Sequence, residues 1–352
     1  MHQPDVAPLR VRTAFTGLIL IYGLSAISCA LINWWVARYP IGPWSVSDLP
    51  ANSWLDNVSW QIFSLWWACL FAVCQCWPFD SLPRFWRGSA TLVTAWTLGW
   101  LTAKAIFATG LGVSWIFPLV GTTWFFIAFF SFNGENWLVR GFSPARRFFL
   151  LLVLITGCTY LITHSAIRWI PAWWFPFNLL GAATGTLAYI TRGMTQPAKA
   201  FMQMALLFCS AALCLWVSSA LGLWSSSPSP ISGFWQMGTA TADNHWLVFF
   251  MVSASINFGV PVVLHNWPFT RFPMPWGGLL ACVFYIVLDI VLSFLLIRLV
   301  GPVFSSTEEL LTYAYMGVNW SMTLPLLFGL GMSEAYLWTG QRTVGEWNDL
   351  PA

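Results

Sequence analysis

Residues Ala281–Ile297 read ACVFYIVLDIVLSFLLI, an unbroken apolar run with a single carboxylate, Asp289, at its centre. With its flanks from Gly278 to Val300 the run is long enough to cross, as a helix, the ~30 Å hydrocarbon layer of a bilayer. A carboxylate at mid-depth costs roughly 2.5–3.5 kcal/mol on insertion scales, so it is retained for a reason. Only 8% of the 352 residues are charged, and none of the others falls so deep in an apolar run. Asp289 is therefore the first candidate for function.

The rest of the chain agrees with that class. Hydrophobic residues make up 58% of it, the mean hydropathy is +0.69, and apolar runs of about 20 residues recur. The sequence predicts an all-α, polytopic membrane bundle of about ten spanning helices, near 13–36, 59–77, 88–108, 113–132, 147–167, 171–190, 199–223, 246–265, 278–300 and 311–332. A transmembrane barrel would alternate apolar and polar residues over ~10-residue segments, and these runs are continuous. The first run, Thr13 to Val36, is longer than a secretory h-region and reads as a retained helix.

Charge sets the expected orientation. Arg10, Arg12, Arg84, Arg87, Arg140, Arg146, Arg147, Arg192, Lys199, Arg271 and Arg342 fall on one side of the layout, whereas only Arg38, Arg168 and Arg298 lie near helix ends on the other. By the positive-inside rule both termini are cytoplasmic. The net charge of +3 is too small and too scattered for a nucleic-acid surface. Two lysines against thirteen arginines, and no eukaryotic targeting signal, place the expected setting in a bacterial cytoplasmic (inner) membrane.

A repeat organises the chain. WPFDSLPRFWRG at Trp77–Gly88 returns as WPFTRFPMPWGG at Trp267–Gly278, with six of twelve positions identical. Each copy links two helices on the cytoplasmic side. The expected organisation is one integral membrane domain over 1–352: helices 1–4 at 13–132 as one copy, helices 5–6 at 147–190, helices 7–10 at 199–332 as a second copy, and a short cytoplasmic tail at 333–352. Most of the 26 Trp lie near helix ends, where their rings suit the headgroup zone. Ten helices in five pairs with both ends inside is similar, in helix count alone, to the tellurite-resistance and plant guard-cell anion channel family; no residue role is carried over from it.

Polar residues at helical spacing mark the expected path. Asp289 lies about 16 Å beyond Gly278 at 1.5 Å per residue, near the midplane, with Tyr285 and Ser293 one turn before and after it on the same face. The eighth segment, MVSASINFGVPVVLH, carries Ser253 and Asn257 one turn apart, then Gly259 and Pro261, the composition of a helix that kinks or unwinds mid-membrane, either at a solute site or as a proline kink with Asn257 bonded to a neighbouring helix. Lys104, about 24 Å from Gly88, snorkels to the outer surface or, leaning toward its helix N-terminus, reaches the depth of Asp289. Asn178, Thr122, Thr123 and Asn319 are further polar positions at intermediate depth, where hydrogen bonds between helices are the simplest use.

Other chemistries lack their signatures. No Walker loop, dinucleotide fingerprint, HExxH or nucleophile–base pair occurs. The cysteines fall within helices or at their ends as small hydrophobes, and CQCW at Cys74–Trp77 has no second Cys or His pair to complete a metal site. The four histidines, His2, His164, His245 and His265, cannot form one cluster. No cofactor and no metal are predicted. The expected partners are the lipid bilayer, a small solute or ion, and other membrane subunits, with no nucleic acid. The expected function is a membrane permease or channel, passive or proton-coupled through Asp289, rather than an enzyme. Two other classes compete with it: a non-catalytic subunit that assembles a larger complex through Trp-rich surfaces, and a membrane enzyme acting on a lipid-soluble substrate.

Overall fold

The structure is a computed structural model. It describes residues 11–38, 54–110, 116–132, 134, 136–165, 194–195, 197–206, 209, 220, 248, 251–253, 255–256, 260, 264, 267–273, 275–303, 310 and 317. The regular structure among them is helical: α1 Val11–Arg38, α2 Trp54–Val73, α3 Arg84–Ala108, α4 Ile116–Ile127, α5 Pro144–Ser165 and α6 Trp276–Leu295. α4 runs on into a wider π-turn at Ala128–Phe132, and α6 into Leu296–Val300 and Gly301–Val303. Among the described residues, two helices are long and apolar enough to cross a membrane, Pro144–Ser165 and Trp276–Val303. Shorter apolar stretches occupy Phe15–Ser28, Phe63–Val73 and Leu119–Ser131. The expected segments 171–190, 199–223, 246–265 and 311–332 lie wholly or largely outside the described residues.

Helix ends differ from the sequence expectation where proline and left-handed backbone intervene. α2 stops at Val73 rather than 77, because Gln75 and Cys76 both take φ 60° and Cys76 N–H donates to the Phe71 carbonyl at 2.8 Å, closing the helix before CQCW is complete. α3 starts at Arg84 rather than 88. Pro83 caps it in extended conformation, and the Arg87 N–H donates back to the Pro83 carbonyl at 2.9 Å. Four residues of interfacial character thus join the helix that hydropathy alone excludes.

α2 is the central element. Phe63 to Trp66 and Ala68 to Val73 are all buried, so nearly every face of the helix has a neighbour. α3 lies along it: Trp67 Nε1 donates to Thr102 Oγ1 at 3.0 Å, and the Trp60 and Trp96 rings meet edge to face at 6.4 Å. Gly99 makes the approach possible, since a Cβ there would sit 2.6 Å from Ser64 Cα and 2.7 Å from Ser64 Cβ. α4 and α5 close the other side, with Phe71 and Phe148 stacked at 5.3 Å and the Thr123 and Thr159 hydroxyls 3.3 Å apart. In α5 the buried stripe is Phe148, Leu151, Ile155, Thr159 and Thr163, while Phe149, Leu150, Val153, Tyr160 and Leu161 face outward. The outer faces are as apolar as the inner ones, the pattern of helices hydrophobic all round.

Candidate functional site

α6 carries one polar stripe on an otherwise apolar cylinder. Gly277, Gly278, Ala281, Tyr285, Asp289 and Ser293 are its buried residues, whereas Leu280, Val283, Phe284, Val287, Val291 and Phe294 point outward. The four-residue spacing read from the sequence is what places Tyr285, Asp289 and Ser293 together on the inner face. Asp289 and Ser293 are 0% exposed and Tyr285 is 2% exposed. Asp289 stands thirteen residues after Trp276, about 20 Å along the helix and near the middle of the span Trp276–Val303.

The stripe is completed from outside α6. Tyr22 of α1 donates its hydroxyl to the backbone carbonyl of Ser255 at 2.9 Å, and both Tyr22 and Tyr285 lie within Coulombic range of the Asp289 carboxylate. Ser255 is 8% exposed, and Ser253, two residues before it, is 1% exposed. At the near end of α6 the repeat motif supports it: Phe269 packs on Phe284 at 5.4 Å and on Tyr285 at 6.0 Å, and Phe15 of α1 meets Trp267 edge to face at 6.0 Å. α1 therefore passes the Trp267 turn at Phe15 and reaches the level of Asp289 at Tyr22, running in the same direction as α6.

The two copies of the sequence motif have matching local geometry. A shift of 190 residues carries Trp77 N–H···Cys74 O onto Trp267 N–H···Leu264 O, Leu82 N–H···Phe79 O onto Phe272 N–H···Phe269 O, and Arg87 N–H···Pro83 O onto Gly277 N–H···Pro273 O. Both Trp–Pro bonds are cis, and Trp86 and Trp276 are each 63% exposed. The same shift carries the buried positions Thr91, Ala95, Gly99 and Ala103 of α3 onto Ala281, Tyr285, Asp289 and Ser293 of α6. In α3 that stripe is small and packs tightly on α2. At its third position α6 has a carboxylate where α3 has the glycine that touches Ser64.

The remaining sequence candidates are placed as follows. Tyr285, Asp289 and Ser293 are buried on one face of α6, and Ser253 is buried two residues before Ser255. Lys104 is half-buried with its ammonium 5.6 Å from the centre of the Trp100 ring on its own helix. Asn257 and Asn178 lie outside the described residues. Cys74 and Cys76 are free and buried, and His164 stacks on Tyr160 at 5.5 Å.

Sequence reading missed Tyr22, Ser25 and Asn136. Tyr22 and Ser25, three apart in the first segment, carry a weak signal as two polar groups on one side of an apolar helix. Asn136, in the link after α4, is 1% exposed with φ 56°, and neither atom of its amide has a hydrogen-bond partner. No family model, curated protein or solved structure matches the chain.

Proposed function

We propose that the chain is a polytopic membrane permease or channel of about ten spanning helices, moving a small solute or ion along a path that passes Asp289. The observation that carries this reading is the Asp289 carboxylate, fully buried halfway along a 28-residue apolar span with hydroxyl groups above, below and opposite it. An acid held only for packing would be expensive at that depth, where intramembrane carboxylates are usually part of ion or proton pathways. The duplication is part of the proposal. One copy of the helix pair, α2 and α3, is a static seam sealed by Gly99, and the other has the same stripe converted to Tyr285, Asp289 and Ser293. Cytoplasmic termini and a bacterial inner membrane belong to this reading and rest on the arginine distribution.

Proton coupling follows if Asp289 changes charge as the bundle changes the side to which it opens, because the two charge states then favour different conformations. Tyr22 and Tyr285 are titratable groups that face Asp289. The test is flux into liposomes containing purified protein, measured with a pH-sensitive dye and by electrical recording across a panel of ions and small solutes. Wild type moves at least one of them in a pH-dependent way, and Asp289→Asn abolishes that movement while eluting as folded protein. Equal flux in wild type and Asp289→Asn at every pH overturns the reading.

The reading as an assembly subunit retains one observation, the continuous apolar outer faces of α5 and α6. It predicts co-purification with a defined partner and no flux that depends on Asp289.

A further inference from the structure

The link that follows α2 has a further copy after α4. A shift of 60 residues carries Trp77 N–H···Cys74 O onto Trp137 N–H···Gly134 O, Phe79 N–H···Cys76 O onto Val139 N–H···Asn136 O, Leu82 N–H···Phe79 O onto Phe142 N–H···Val139 O, and Arg87 N–H···Pro83 O onto Arg147 N–H···Ser143 O. Cys76 and Asn136 match as well, with φ 60° and 56°. Each copy thus delivers one arginine, Arg87 or Arg147, to the first turn of its outgoing helix, and both are half-buried. The two links touch: the Trp77 ring meets Phe148 at 5.5 Å and Phe149 at 5.6 Å, directly after Arg147. Arg147 lies within Coulombic range of Cys74 and Arg87 within that of Cys76, so both guanidinium groups border the one turn between α2 and α3.

Neither guanidinium has a carboxylate partner among the described residues. Arg87 Nη2 donates to the Leu82 carbonyl at 3.1 Å and Arg147 Nη2 to the Arg140 carbonyl at 3.3 Å, so each is held to its own link by a neutral group, and the buried Nε of each makes no hydrogen bond. A half-buried charge is costly without a counter-charge. Residues 77–88 and 134–149 hold Arg84, Arg87, Arg140, Arg146 and Arg147 against Asp80 and Glu135, which leaves the two links an excess of positive charge. On the same stretches Phe85, Trp86, Phe142 and Phe149 are exposed, rings of a kind that suits the headgroup level of a bilayer. We infer that these two links form a binding surface for the headgroups of an anionic phospholipid, with Arg87 and Arg147 meeting phosphate and the exposed rings lying against the glycerol and acyl boundary. The inference rests on the membrane reading and not on permeation past Asp289. A guanidinium fork matches phosphate oxygens bidentately, and basic pockets between membrane helices on the cytoplasmic side hold such headgroups. A soluble anion would leave the exposed rings without a role, and nucleic acid would need a wider basic surface.

The experiment reconstitutes the full-length protein into vesicles of phosphatidylcholine with a minor share of phosphatidylglycerol, extracts it in mild detergent and measures the retained lipids by mass spectrometry. Wild type is expected to retain phosphatidylglycerol beyond its share. Arg87→Gln and Arg147→Gln should each lower that preference about fivefold, the effect of one basic residue at a lipid surface, while Lys104→Gln, near the other end of α3, leaves it unchanged. A phosphatidylglycerol with a photoreactive headgroup tests the same surface without substitution, and on wild type it should label the peptides that contain Phe85–Arg87 and Arg146–Phe149. Retention of the two lipids in proportion to supply, a preference that survives both glutamine variants, or labelling confined to other segments overturns the inference. So does stabilisation of the detergent-purified protein by inorganic phosphate equal to that by phosphatidylglycerol, which would assign the arginines to a free anion. Protein that enters no vesicle defeats the membrane reading and this inference together, whereas inserted protein without a lipid preference defeats the inference alone. A preference for phosphatidylglycerol without Asp289-dependent flux upholds the surface and defeats the permease reading.

Discussion

At the residue scale, Gly99 and Asp289 occupy corresponding positions and show how one stripe serves two ends. Gly99 is needed for contact: any Cβ would overlap the Ser64 backbone. Gly99→Ala should therefore force α3 off α2 and destabilise by about 1–3 kcal/mol, seen as a lower melting temperature in detergent. Gly157, on α5, has nothing within 4 Å of an added Cβ, so Gly157→Ala should be neutral or stabilise by up to about 1 kcal/mol through helix propensity. If the two variants behaved alike, the seam would not be as tight as described. Asp289, Tyr285 and Ser293 were legible because helical period places them on one face of one segment. Tyr22 and Ser25 were not, because more than 250 residues separate them from that segment and spacing carries no information between helices.

At the element scale, the apolar runs located α1 to α6, while the ends of α2 and α3 were set by features hydropathy does not register: left-handed backbone at Gln75 and Cys76, and Pro83 as a cap. A side-chain bond from Tyr22 to the Ser255 carbonyl links α1 to the segment around Ser255. Tyr22→Phe removes it and leaves that carbonyl without the phenol, a loss of about 1 kcal/mol. The expected outcome is faster amide hydrogen exchange in residues 251–256 and a several-fold lower flux, with little change in melting temperature. Unchanged exchange would mean that the bond does not hold the two elements together. A bond of a different kind, Trp67 to Thr102, joins α2 to α3 within one helix pair, so Trp67→Phe should lower stability by about 1 kcal/mol and leave flux intact.

For the whole molecule, the all-helical class was readable because long apolar runs exclude strands. The number of spans is a finer matter, since Pro144–Ser165 and Trp276–Val303 are the described helices that meet the length and hydropathy needed to cross a bilayer. The arginine count predicts the topology directly. A fluorescent protein fused to the C-terminus should glow in intact bacteria, and an alkaline phosphatase fused at the same place should be inactive. The opposite pair of results would place the terminus outside and reverse the direction of α6. The central claim, that the Tyr285–Asp289–Ser293 face lines a path rather than a dry seam, is tested most directly by cysteine accessibility. With the eight native cysteines replaced, Ser293→Cys should react with a membrane-impermeant thiol reagent in proteoliposomes, and Val291→Cys, on the outward face of the same helix, should not. Labelling of neither residue, or of Val291→Cys alone, would contradict the account.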